Sequence, residues 1–284
     1  MKRAMPPVLS HFQAAVLLTA RQQKEKVVAV SLDLGLSVTE VQLTEAGVLL
    51  PNGRLLAWTQ VETIAANELG CFLVTEAEIE KIQIFSEQFN RLYSLMPTMG
   101  APTMLISGIP MHRIKGTDPY RDTLTKIQAV APVMGDVLDT TMGLGYTAIE
   151  AAKTADRVTT IELDPAVVEI CRHNPWSQQL FDNPKITRIV GDAYDVVAEF
   201  EDGRFSRIIH DPPVFSLAGD LYATDFYRQL YRILKPKGRL FHYVGDPESK
   251  SGRNVTRGVM RRLQAAGFTQ VRPYPHAFGV VARK

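Results

Sequence analysis

Four carboxylates, Asp139, Glu162, Asp192 and Asp211, each end a short apolar run, and each is followed closely by glycine, alanine or proline. The first lies in Val137-Leu138-Asp139-Thr140-Thr141-Met142-Gly143-Leu144-Gly145-Tyr146-Thr147-Ala148. Gly143 and Gly145 permit a tight turn and let a ligand approach the backbone closely. Gly143-x-Gly145-x-x-Ala148 also fits the dinucleotide fingerprint, a weak signal by itself. Charge separates the two readings. A pyrophosphate needs backbone N–H groups and no nearby anion, whereas Asp139, four residues before the first glycine, suits a ligand carrying an ammonium. Glu162, 17 residues beyond Gly145, has the spacing of a carboxylate that accepts both hydroxyls of a ribose, with Leu163 beside it. NAD enzymes share that feature, so it does not discriminate. Asp192 is placed to accept from an adenine amine while the Ala193 N–H donates to the ring; the alternative is that Asp192 caps a helix.

The fourth carboxylate belongs to Ile208-Ile209-His210-Asp211-Pro212-Pro213-Val214-Phe215-Ser216. A planar amine is a poor nucleophile because its lone pair is delocalised. A carboxylate and a backbone carbonyl that accept its two N–H bonds turn the lone pair outward, and two prolines stiffen the loop that supplies them. Asp211, Pro212 and Pro213 are therefore the candidate catalytic group. Phe215, one residue further on than a stacking aromatic is expected, and Tyr243 are candidate substrate contacts. Phe226 reads as core, and His210 as a packed strand-end histidine rather than a base.

The elements that must hold these residues alternate. Asp136 to Asp139, Arg157 to Ile161, Ile186 to Val190, Ser206 to Asp211 and Arg239 to Val244 read as strands. Thr147 to Thr154, Pro165 to Cys171, Phe226 to Leu234 and Asn254 to Ala266 read as helices between or after them. Such alternation implies a mainly parallel sheet covered by helices on both faces. Phe268 to Arg272 and Ala277 to Arg283 read as a closing antiparallel pair. Before Thr98 the apolar runs are short (Val27 to Leu32, Val38 to Leu43, Val48 to Leu50, Cys71 to Val74), with a hairpin at Pro51-Asn52-Gly53 and a helix over Val61 to Glu68. Three regions follow: a small α+β domain over 1–98, a connecting loop or gate over 99–125, and a catalytic domain over 126–284. Gly100 to Asp122 is too polar and too interrupted by glycine and proline for a core element, so it reads as loop. It carries Arg113 and Lys115, candidate substrate contacts.

The 284 residues include 45% hydrophobic and 22% charged residues, ordinary for a globular protein. No stretch is long and apolar enough for a membrane span, and nothing at the N-terminus resembles a secretory signal. The two cysteines, Cys71 and Cys171, fit neither a disulfide framework nor a metal site, and a reducing cytoplasm is expected. The net charge of +2 hides an asymmetry. From Ser249 to Lys284 there are eight basic residues and no acidic one, which suits either phosphate contacts or a solvated helix face.

The four segments, in this order over 126–284, resemble the class I S-adenosylmethionine (SAM)-dependent methyltransferases. The resemblance implies a Rossmann-like sheet with an antiparallel last strand. It also implies SAM as cofactor, with Asp139, Gly143 and Gly145 at its methionine end, Glu162 at the ribose, Asp192 with Ala193 at the adenine, and Leu163 as a further cofactor contact. Asp211-Pro212-Pro213 resembles the Asn/Asp/Ser-Pro-Pro-aromatic tetrapeptide of enzymes that methylate planar amines, departing from it at Val214. The whole chain is similar to a mostly archaeal family of predicted methyltransferases, through Ser107 to Gly116, Asp211-Pro212-Pro213 with Phe215-Ser216, and Leu240-Phe241-His242-Tyr243. That resemblance implies methylation of a cytidine amine in ribosomal RNA, with RNA as the partner. The alternatives are a small-molecule methyl- or aminopropyl-transferase on the same fold and a non-enzymatic cofactor-binding protein. The oligomeric state is left open.

Overall fold

The computed structural model describes residues 5–213 and 218–284. Its chain falls into two compact units: Met1–Pro119 with Ala166–Gln178, and Tyr120–Pro165 with Gln179–Lys284.

The first unit is built from short strands and helices. Strand β1 (Val8–Leu9) precedes α1 (His11–Gln22), which Ser10 caps reciprocally with Gln13. A four-stranded antiparallel meander follows: β2 (Val27–Val30), β3 (Thr39–Leu43), β4 (Gly47–Leu49) and β5 (Leu55–Ala57). The expected hairpin joins its last two strands, with Gly53 at φ +82°. Helix α2 (Trp58–Ala65) starts three residues earlier than the apolar periodicity suggests, because the Gln60 side chain accepts from the Ala57 N–H and closes the first turn. Strand β6 (Phe72–Val74) pairs antiparallel with β1 on one side and with β7 (Ile79–Lys81) on the other. Strands β8 (Gln83–Ser86), β9 (Arg91–Met96), β10 (Thr103–Ile106) and β11 (Ile109–Pro110) form a second four-stranded sheet. Leu9, Leu17, Val41, Val48, Leu56, Val61 and Ile64 form the core of the α1–α2 region.

Reading Gly100 to Asp122 wholly as loop was wrong. Thr103–Ile106 is a fully buried strand paired with β9, and Ser107-Gly108, both at positive φ, turn the chain into β11. Three apolar residues, Met104, Leu105 and Ile106, between Pro102 and Gly108 give too short a run to register as periodic, so the punctuation dominates. Pro119 likewise opens a helix rather than breaking one, since proline is tolerated in the first turn, where its missing N–H is not needed.

That helix, α3 (Pro119–Val130), leads into the second unit. There the chain runs β12 (Asp136–Asp139), α4 (Tyr146–Ala151) and β13 (Arg157–Glu162), and, after α5 (Pro165–His173), which belongs to the first unit, α6 (Gln179–Asp182), β14 (Ile186–Val190), α7 (Ala193–Ala198) and β15 (Phe205–His210). It continues with α8 (Thr224–Ile233), β16 (Leu234–Tyr243), α9 (Lys250–Ala265), β17 (Thr269–Tyr274) and β18 (Gly279–Arg283). The seven strands lie in the order β14-β13-β12-β15-β16-β18-β17. From β14 to β16 neighbouring strands are parallel, and β18 runs antiparallel to both β16 and β17. This is the sheet the resemblance implies. Strand order reverses between β12 and β15, the place where such sheets bind ligands beyond their carboxyl ends.

Alternation along the strands divides the side chains between two faces. Leu138, Ile208, Leu240 and Ala282 join Phe226, Leu230, Val259 and Leu263 in one core, and Phe226 is fully buried as expected. The two turn glycines differ. A Cβ on Gly145 (φ +75°) would lie 2.3 Å from a Leu180 methyl, while one on Gly143 (φ +52°) meets nothing within 4 Å. Gly145→Ala is therefore expected to cost about 3 kcal/mol, backbone strain plus overpacking, and Gly143→Ala about 1 kcal/mol of strain alone. Urea denaturation of both variants measures the difference, and equal losses would remove the packing argument.

Candidate active site

The carboxyl ends of β12, β13, β14 and β15 carry the four carboxylates, so the sheet brings together residues 72 positions apart in sequence. Asp139 ends β12 and is wholly buried. Its Oδ2 accepts from Thr147 Oγ1 (3.0 Å) and Thr160 Oγ1 (2.9 Å), whereas Oδ1 has no partner. Burial pushes its carboxyl up to about 7 against those two hydrogen bonds. Glu162 ends β13 and is half-buried. Its Oε2 accepts from the Gly143 N–H (3.0 Å) and its Oε1 from the Asp164 N–H (3.1 Å), so it ties the glycine turn to the neighbouring strand. Burial raises it also, to about 7. Leu163 is exposed beside it. The Gly191 N–H donates to Glu162 O (2.8 Å), drawing the end of β14 alongside. Asp192 takes the capping role weighed from sequence: its Oδ1 accepts from the Tyr194 N–H (2.8 Å), and Ala193 opens α7.

A buried carboxylate oxygen without a donor is costly. Asp139 Oδ1 is such an atom, beside a turn where Gly143 leaves open space. These residues fit a cofactor with an ammonium, a ribose and a base: Asp139 for the ammonium, Glu162 for the ribose hydroxyls, Leu163, Asp192 and Ala193 for the base.

At the switch point, β15 delivers Asp211 two residues beyond Ile209, the register partner of Asp139. Three contacts fix this loop. Thr141 Oγ1 donates to Asp211 O (2.7 Å), and Tyr222 OH donates to Pro213 O (3.1 Å). The third was not foreseen from sequence. Lys126, from α3, donates to Asp211 Oδ2 at 2.5 Å and pairs with Asp122 Oδ2 at 2.9 Å. Lys126 and Asp122 side chains are 3% and 1% exposed. Burial works against the Lys126 charge, but Asp211 and Asp122 outweigh it and hold the ammonium above its usual range. Burial raises the Asp211 carboxyl while Lys126 draws it back down. Tyr243 lies under the same ammonium, its ring centroid 4.7 Å from Nζ. In the sequence, Asp122 and Lys126 show only as an i,i+4 helical pair, a pattern common on solvated faces.

Behind the loop, His210 is fully buried. Its Nε2 can only donate to the Leu221 carbonyl (3.0 Å), so its Nδ1 accepts from Thr140 Oγ1 (2.7 Å). Burial lowers it to about 3, and it stays neutral, packed rather than catalytic. Arg113 and Lys115 are carried by the first unit, Arg113 half-buried and Lys115 exposed. Phe215 lies outside the described residues.

Comparison with known proteins agrees with this geometry. The family profile described as "Methyltransferase domain" matches residues 137–238. An uncharacterized protein of Methanocaldococcus jannaschii, MJ1233, is 49% identical over 226 residues, covering 79% of this chain and 77% of its own. The chain belongs to the family of that archaeal protein. It is a SAM-dependent transferase. A polyamine aminopropyltransferase of Sulfolobus acidocaldarius is 33% identical over 112 residues, only 37% of either chain. In fold, the chain is similar to a spermidine synthase in complex with the transition-state analogue AdoDATO, with TM-score 0.60 and 21% identity over 71% of this chain and 72% of that one.

Two measurements bear on the site. A cofactor ammonium favours ionised Asp139, whose carboxyl stands near 7 in the free protein. Below that pH the ligand must displace a proton. SAM affinity by calorimetry is therefore expected to fall about tenfold from pH 8 to pH 6, and a flat profile would place the ammonium elsewhere. Lys126→Met leaves buried Asp211 without its cation and is expected to cost about 3–5 kcal/mol at pH 8. Because Asp211's raised carboxyl would then rise further, its penalty applies above that value, and stability should return as the pH falls. Urea titrations at both pH extremes test this; a pH-independent loss would mean only packing was removed.

Proposed function

We propose that the enzyme transfers the methyl group of SAM to a neutral, planar amine of a nucleobase, with a cytidine in RNA the favoured acceptor. The supporting observation is the pairing of Asp211 with Lys126. Among the described residues, Asp211 O is taken by Thr141 and Pro213 O by Tyr222, while Asp211 Oδ1 and the Pro212 carbonyl carry no hydrogen bond. Those two acceptors suit the two N–H bonds of one amine. Bound there, the sulfonium supplies an electrophilic methyl group. Asp211 and Pro212 orient the amine lone pair toward it, the new N–C bond forms as the C–S bond breaks, and Asp211 is placed to accept the proton the amine sheds.

The names of the more distant relatives back a second reading better: transfer to an aliphatic polyamine, as in the aminopropyltransferase. Asp122 and Asp211 together would suit an ammonium. Lys126 already fills the space between them. Lys126 cancels one of the two carboxylate charges, so the trio carries a net charge of about −1 and attracts an ammonium less strongly than the two carboxylates alone would. In the RNA reading, the 1–98 domain, the 99–125 segment with Arg113 and Lys115, and Phe215 contribute to holding the RNA.

Incubation with labelled SAM and total RNA, followed by nucleoside analysis, is expected to yield an N-methylated cytidine. Asp211→Ala should keep cofactor affinity and lose about 100-fold in turnover. Aminopropyl transfer from decarboxylated SAM to putrescine, with RNA left unlabelled, would replace this reading with the second.

A further inference from the structure

Away from the carboxyl ends of the strands, one row of side chains plays no part in the chemistry above. Arg207 on β15, Arg239 on β16 and Arg283 on β18 are direct register partners, Arg207 with Arg239 and Arg239 with Arg283. They therefore project from the same face of the sheet. Like charges directly opposite each other across strands are destabilising. The first two have a structural employment. Buried Arg207 donates to Val130 O (2.8 Å), Pro132 O (2.9 Å) and Ser206 O (2.7 Å), and Arg239 donates to Ala131 O, so both cap the carbonyl end of α3. Arg283 and its neighbour Arg272 on β17 are exposed, and among the described residues their guanidinium groups make no hydrogen bond or ion pair. Burial, then Arg239 and Arg283, lower Arg207 from its ordinary value, and no carboxylate offsets them.

These residues surround a concavity of about 50 Å³ lined by Ala129, Arg239, Gln270, Arg272, Val281, Ala282 and Arg283, without an acidic group. The backbone is distorted to build it. The β17–β18 register slips between Thr269 and Arg272, and within that bulge Gln270 adopts φ +49°. A left-handed non-glycine residue costs about as much as a weak hydrogen bond returns, and bulges re-aim side chains. Gln270, within the bulge, and Arg272, beside it, line the same concavity as Arg239 and Arg283. Strain, uncompensated like charge and a small cavity coincide.

We infer that Arg239, Gln270, Arg272 and Arg283 form an anion site for a single phosphate group. Guanidinium forks match phosphate oxygens in bidentate geometry, and the amide adds a neutral donor. The phosphate is supplied either by an RNA backbone, which would extend the function proposed above, or by free phosphate.

Titration of the full-length protein with inorganic phosphate and, separately, with a short single-stranded RNA distinguishes the sources, for the wild type and for Arg272→Ala/Arg283→Ala. If RNA is the source, the double variant should bind it on the order of tenfold more weakly, with the log–log salt slope flattened by about 0.7, and SAM affinity unchanged. If free phosphate is the source, saturable phosphate binding should vanish in the variant while RNA binding stays as it was. Either result supports the site. Wild-type binding of both ligands by the variant overturns it. Gln270→Gly relieves the strain and removes the amide, so it should weaken the same ligand without loss of folding. Failure of RNA methylation alongside intact phosphate binding would count against the proposed function and not against this site.

Discussion

One ammonium organises the reacting end of this enzyme. Lys126 sits between Asp122 and Asp211, almost wholly out of water, with the Tyr243 ring beneath it. A buried carboxylate alone is expensive, and a buried lysine alone is equally so. On α3 the Lys126 charge already meets Asp122, whereas Asp211 of the Asp-Pro-Pro loop depends on Lys126 for its cation. The ion pair thus joins α3 to the carboxyl end of β15 and sets the charge beside Asp211.

The rest of the loop follows the same economy of hydrogen bonds. Thr141 and Tyr222 occupy the carbonyls of Asp211 and Pro213. What remains is a carboxylate oxygen and one proline carbonyl. The neutral His210, locked by Thr140 and Leu221, and the fully buried His242, bonded to Tyr227, form the floor beneath it. Desolvation keeps both imidazoles uncharged, so the floor adds rigidity without adding another cation near Lys126. At the far end of α3 the polarity is reversed. Arg207 and Arg239 meet the helix carbonyls, and the surplus of guanidinium there is what the β17 bulge gathers around a small concavity.

The cofactor end is held by a different device. Glu162 accepts from the Gly143 N–H, so the glycine turn is tied to the next strand before any ligand arrives. Gly145 is needed for a packing reason, the approach of Leu180, and Gly143 for its backbone angle alone. A fingerprint of two glycines therefore combines two distinct requirements, close packing at Gly145 and a left-handed backbone at Gly143.

The sequence by itself determined the sheet and the four carboxylates. Strands of four to six apolar residues alternating with helical stripes leave few topologies, because right-handed crossovers and helix coverage prune the rest. Asp139, Glu162, Asp192 and Asp211 were legible because each lies next to a strand end with its own glycine or proline signal. The buried strand Thr103–Ile106 was not legible, since its run is shorter than the punctuation around it. Lys126 was not legible either. Its partner Asp211 is 85 residues away, and an Asp-x-x-x-Lys pair on a helix carries no mark of burial. Nor could the sequence show which oxygens of the loop stay open, or decide that Asp192 takes the helix-capping role, one of the two weighed for it. Those are settled only when strand order places α3, β12 and β15 side by side, because hydrogen-bond occupancy and desolvation are properties of neighbours, and neighbours are chosen by the fold.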